Sequence, residues 1–167
     1  MVATPRTWVV GEVVTAALLN QEIREPFNDL IAAWTSYAPA WGAGTAPNIG
    51  NGTLSGRYRL IGKTCTVEFG QTMGTTTTFG TGVWTWTVPF TAASPPGSDA
   101  NFTYTGAARG HAAAWYSGTV GVMKGTNLAR IYPHKETPNT EWASGVPTTW
   151  AASTTNYLHA GLTYEIA

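Results

Sequence analysis

Residues 54–69 alternate apolar and polar side chains on both sides of a Gly62-Lys63 dipeptide. Leu54, Gly56, Tyr58 and Leu60 interleave with Ser55, Arg57 and Arg59. After the dipeptide, Cys65, Val67 and Phe69 interleave with Thr64, Thr66 and Glu68. Period-two alternation either side of a short glycine turn predicts strand, turn, strand. Glycine as first residue of a two-residue turn fits type II′. The register then follows. With Ile61 facing Thr64, the apolar face pairs Leu60 with Cys65, Tyr58 with Val67 and Gly56 with Phe69. The other face pairs Arg57 with Glu68 and Arg59 with Thr66. A one-residue slip would spoil every pair.

The same stretch ends in Gly62-Lys63-Thr64, the tail of a phosphate-binding loop. That motif, G-x-x-x-x-G-K-[ST], needs glycine at position 57, which is Arg57; the glycine stands at Gly56. A phosphate loop also opens a helix, and here a second strand follows. A hairpin with a solvated Lys63 is expected, not a nucleotide site.

Composition agrees with β-structure. Charged residues make up 11% of the 167, and nine basic residues balance nine acidic ones. That leaves no basic face for nucleic acid. Threonine is the commonest residue, and eight tryptophans accompany abundant glycine. These residues favour strands and turns. The single cysteine, Cys65, falls on the apolar face of the hairpin and reads as a small buried hydrophobe. The opening MVATPRTWVV lacks a charged region followed by a long apolar core, so no signal peptide is expected. No window reaches membrane-spanning length, and no membrane insertion is expected.

Helical periodicity begins after Thr15, a fitting N-cap. Ala16, Leu19, Ile23, Phe27, Leu30 and Trp34 recur at spacings of three and four. They form a narrow apolar seam, about 30 Å long. Pro26 removes a backbone donor, which predicts a kink near Glu25 or a second helix starting at Pro26. The seam can pack on its own domain or against copies of itself. A narrow stripe suits a short bundle, so Leu19, Ile23, Phe27, Leu30 and Trp34 are the expected oligomer interface.

Beyond Trp34 strand patterns take over. Val83 to Phe90, Phe102 to Ala108, Trp115 to Met123 and Asn127 to Tyr132 read as strands. A final strand carries Leu158, Ala160, Leu162, Tyr164 and Ile166 on one face and His159 on the other. Roughly seven or eight strands predict an antiparallel β-sandwich of jelly-roll type. The expected organisation is an extended segment and kinked helix over 1–36 and a mainly β domain over 37–167.

Catalytic chemistry is poorly represented. His111, His134 and His159 match no metal spacing, and no metal or cofactor is expected. A glycosidase needs two paired carboxylates; only Glu136 and Glu141 share a loop. No G-x-S-x-G elbow is present. The loop 133–155 holds Trp142 and Trp150 among Pro, Thr, Asn and Gly. Such tryptophans can stack on sugar rings as receptor contacts, or they can anchor a long loop.

The opening Thr7-Trp-Val-Val-Gly-Glu-Val-Val-Thr-Ala-Ala-Leu-Leu-Asn-Gln-Glu-Ile-Arg24, with Phe27-Asn-Asp-Leu30, resembles the N-terminal segment of minor tail proteins of actinobacterial phages. Its pattern there is roughly T-W-x-x-G-E-x-V-T-A-A-x-L-N-x-x-I-R. The stretch Asn51 to Thr64, the Phe79-Gly-Thr-Gly82 turn, the Trp84 to Phe90 strand and Gly161 to Glu165 are also similar. The resemblance implies a non-enzymatic virion part, a tail-associated fibre or knob. It implies a trimeric β-sandwich appendage docked to other virion proteins through the N-terminal segment; exposed loops touching a host-surface glycan are the expected host contact. A head fibre or capsid decoration protein fits the same residues. A glycan-cleaving enzyme or a free-standing glycan-binding module are the readings from other classes. Cys65 departs from the valine of that pattern. The insert around Pro95-Pro96 and the loop 133–155 follow none of it, so no receptor site carries over.

Overall fold

The computed structural model describes residues 6–134 and 140–167. Toward one edge of its sheet lies the hairpin of β3 (Thr53–Ile61) and β4 (Thr64–Thr72), paired Ile61 to Thr64, Leu60 to Cys65 and Arg57 to Glu68. The expected register holds at every position. Gly62 has φ of +58°, a left-handed conformation that glycine adopts without steric cost.

Among the described residues seven further strands join it. They are β1 (Thr35–Tyr37), β2 (Trp41–Gly42), β5 (Thr85–Thr87), β6 (Thr103–Ala112), β7 (Ala114–Met123), β8 (Leu128–Pro133) and β9 (Tyr157–Glu165). All pairings are antiparallel, in the order β1-β3-β4-β9-β6-β7-β8-β5-β2. The two facing sheets of a sandwich are therefore replaced by one continuous sheet, curled into a half-barrel. The curl is visible in the aromatics. Trp86 of β5 stacks on Phe69 of β4 at 5.7 Å between ring centroids, although five places in the sheet order separate their strands. Phe90 meets Tyr58 of β3 edge-on at 5.2 Å. The segments around Trp84 and Trp142 cover the concave face, where a sandwich would place a second sheet.

β9 is central, between β4 and β6, and its alternation is complete. Leu158, Ala160, Leu162 and Tyr164 are buried, while His159 points outward. The strand expected from Val83 to Phe90 keeps its alternating burial but forms a regular strand only over β5, with an isolated bridge from Val83 to Ala143. Pro89, which has no N–H, ends it. β6 and β7 form one long hairpin through Ala112–Ala114, with Ala113 at φ +61°.

Residues 16–31 form one continuous helical rod. It comprises α1 (Ala16–Leu19), a π-helical turn (Asn20–Arg24) and α2 (Glu25–Ile31). The Thr15 hydroxyl accepts the Leu18 N–H at 3.3 Å, the expected cap. Pro26 sits in the first turn of α2, directly after the π turn. Its missing donor falls where bonding passes from the i→i+5 to the i→i+4 pattern. The helix ends at Ile31 and the sheet begins at Thr35, so the expected boundary at residue 36 falls inside β1.

Candidate functional site

The expected oligomer interface is uncovered. None of the residues of α1, the π turn or α2 is buried. Phe27 keeps 62% of its surface exposed, and Leu19, Ile23 and Leu30 are close to half exposed. Leu19, Ile23 and Leu30 line a hollow of about 1150 Å³ together with Trp8, Val14 and the hairpin-tip residue Ile61. A monomer thus leaves an apolar stripe and a hollow beside it. Trp34 does not belong to the stripe. Ala32 caps the helix with ψ of 146° and turns the chain toward β1, and Arg57 stacks over the Trp34 ring at 4.7 Å. Trp34 is a contact of the sheet's outer face.

The loop tryptophans occupy the core. Trp142 is 0% and Trp150 is 4% exposed, which removes both as receptor or glycan contacts. Their rings lie 5.5 Å apart, and Trp150 lies 5.5 Å from Trp84. The Trp150 indole N–H donates to the Val146 carbonyl at 3.1 Å. The Trp142 backbone N–H donates to the Ile131 carbonyl at 2.7 Å, and its carbonyl accepts the Trp84 N–H at 2.9 Å. Gly110 makes room for this packing: a Cβ there would stand 2.7 Å from the Trp142 ring. The rings pin a long segment over the concave face, the anchoring role such a loop needs.

The outer face of the sheet carries a surface that sequence reasoning missed. One row across it runs Arg57, Glu68, Gly161, Ala107; the next runs Ser55, Gly70, His159, Arg109. Gly161, Gly70 and Ala107 put almost no side chain on this face, and a trough of about 550 Å³ opens between the flanking charged groups. On one side, Arg57 Nε and Nη2 donate to Glu68 Oε2 at 2.9 and 2.7 Å. On the other, the Arg109 guanidinium stacks on the Trp115 ring at 3.6 Å. Trp115 is 54% exposed. It meets His111 and Tyr157 edge-on at 4.7 and 5.7 Å. The His159 ring leans over Gly70, where a Cβ would lie 2.9 Å from Nδ1. The strand alternation does hold the signal, in outward-facing Arg109, Trp115 and His159, but pairing of β9 with both β4 and β6 is needed to assemble it.

The remaining chemical candidates stay apart. Glu141 pairs with Arg130 at 3.2 Å, and Glu136 lies outside the described residues. His134 Nε2 is 2.7 Å from the Thr119 hydroxyl, and His111 Nδ1 is 3.1 Å from the Thr155 carbonyl. Among the described residues no group of three or more His, Cys, Asp or Glu is placed to hold a metal ion, and no helix is long and apolar enough to cross a membrane. Cys65 is fully buried, and burial pushes its thiol pKa up. Comparison with protein-family models, curated proteins and solved structures found no match.

Proposed function

We propose that this chain is a non-enzymatic virion structural protein, a tail-associated fibre or knob that assembles as a homotrimer. The observation that carries the reading is the contrast between its two parts. The curled sheet holds a full core of its own, whereas the helical rod buries none of its residues and leaves Leu19, Ile23, Phe27 and Leu30 about half exposed. Complete burial of one such side chain contributes about 1.5–3 kcal/mol. With these four about half exposed, covering them yields roughly 3–6 kcal/mol per chain. Copies of the same rod are the natural cover, since a narrow seam is self-complementary in a bundle. The segment before the rod, which carries the resemblance to minor tail proteins, then serves as the attachment to other virion proteins, and the sheet projects toward the host surface.

The test is particle composition. Mass spectrometry of purified phage particles whose genome carries this coding sequence should find the chain at a fixed copy number. A chain confined to the soluble lysate and missing from the particles would sink the reading.

A further inference from the structure

We propose that the outer-face trough between Arg57–Glu68 and Arg109–Trp115 binds an acidic saccharide, a sugar ring carrying a carboxylate or phosphate. The inference rests on the surface-attachment part of the function proposed above and is independent of assembly through the helix.

Arg109 is the first reason. Its guanidinium is stacked on Trp115 and makes no salt bridge among the described residues. A stacked guanidinium is held flat with its fork of donors available, the geometry that takes a carboxylate or phosphate through two parallel hydrogen bonds. Trp115 acts as the positioning residue, which accounts for a tryptophan left 54% exposed. The second reason is the floor. Gly161, Gly70 and Ala107 come from two neighbouring strands and the next, and their small side chains leave bare backbone for a ring to lie on. The third is the opposite wall. Both Arg57 bonds go to Glu68 Oε2, so Oε1 is left to accept a sugar hydroxyl. His159 adds a ring nitrogen between the two walls.

The size, about 550 Å³, falls within the range of small-ligand sites. A peptide strand would add to a sheet edge, and this is a sheet face. Nucleic acid needs several phosphate contacts, and a chain of zero net charge does not supply them.

The experiment is a calorimetric and NMR titration of the full chain. Galacturonic acid trisaccharide and glucose 6-phosphate are compared with neutral maltotriose and with inorganic phosphate. Two variants accompany it, Arg109→Gln and Gly161→Val, each checked for an unchanged unfolding midpoint. A Cβ at Gly161 stands 3.4 Å from Glu68 Cγ, so a valine there fills the trough from its floor without breaking the strand. At least one acidic sugar should bind roughly tenfold or more tightly than maltotriose, the contribution expected of a charge-assisted pair. Arg109→Gln should remove that preference, and Gly161→Val should abolish binding. A carboxylate source and a phosphate source are told apart by which probe responds. The proposal is overturned if neither acidic sugar perturbs the trough at millimolar concentration. It is equally overturned if inorganic phosphate binds as well as the sugars, or if binding survives both variants. None of these results touches the helix seam, whose role is read separately from the solution mass.

Discussion

Trp142→Ala tests whether the long segment over the concave face is held by its aromatics. The ring is fully buried, packed on Trp150 and over Gly110. Its indole nitrogen has no hydrogen-bond partner among the described residues, so the loss is one of apolar burial and packing alone. A buried tryptophan hides about 200 Å². At about 25 cal/mol per Å² that is roughly 5 kcal/mol, and measured Trp→Ala changes in cores run about 3–5 kcal/mol. In a chain of this length each kcal/mol moves the melting temperature by about 2–4 °C. Scanning calorimetry should therefore show a fall of roughly 10 °C. Trp142→Phe should fall by much less, since no indole hydrogen bond is lost. A drop under about 3 °C for the alanine variant would refute the anchoring account.

Three other outcomes follow from named contacts. Tyr164→Phe removes a hydroxyl that donates to the Phe90 carbonyl at 3.0 Å and accepts the Phe90 N–H at 3.2 Å; denaturant unfolding should show a loss of about 1–3 kcal/mol. Burial raises the Cys65 thiol above its ordinary 9.0 and the Tyr37 and Tyr164 hydroxyls well above their ordinary 10.0. The unfolded chain then releases these protons first, so stability holds below pH 9 and falls as pH climbs through 9 and 10, which alkaline denaturation would check. Gly62→Ala meets no atom within 4 Å but keeps φ of +58°, and equilibrium unfolding should record a loss of about 1–2 kcal/mol from that conformation alone.

The β3–β4 hairpin was legible because its information is local: alternation, a glycine-first turn and a charge pair all sit within a short stretch. Thr15 as cap and β9 as a strand were readable for the same reason. The tip of the β6–β7 hairpin was not, because its turn is made by Ala113 at positive φ and carries no glycine or asparagine signal. Strand count also says nothing about strand order. Placing β9 between β4 and β6 turns an expected sandwich into one curled sheet, and that pairing joins residues far apart in the chain. The trough depends on the same long-range pairing, since Glu68, Gly161 and Arg109 come from three separate strands. Trp34 followed the helical spacing arithmetically, yet the helix stops at Ile31 because Ala32 turns extended. Trp142 and Trp150 illustrate a further limit: a polar loop around a tryptophan does not say which way the ring faces.

Solution mass across a concentration series tests the central claim most directly, measured on the full chain and on the double variant Ile23→Glu, Phe27→Glu. Both positions lie on the uncovered stripe of the rod. Charges there cannot be covered without strong desolvation cost, and neither residue contributes to the sheet core. The account predicts a trimer for the full chain and a folded monomer for the variant. A full chain that stays monomeric at every concentration, or a variant that remains trimeric, would contradict it.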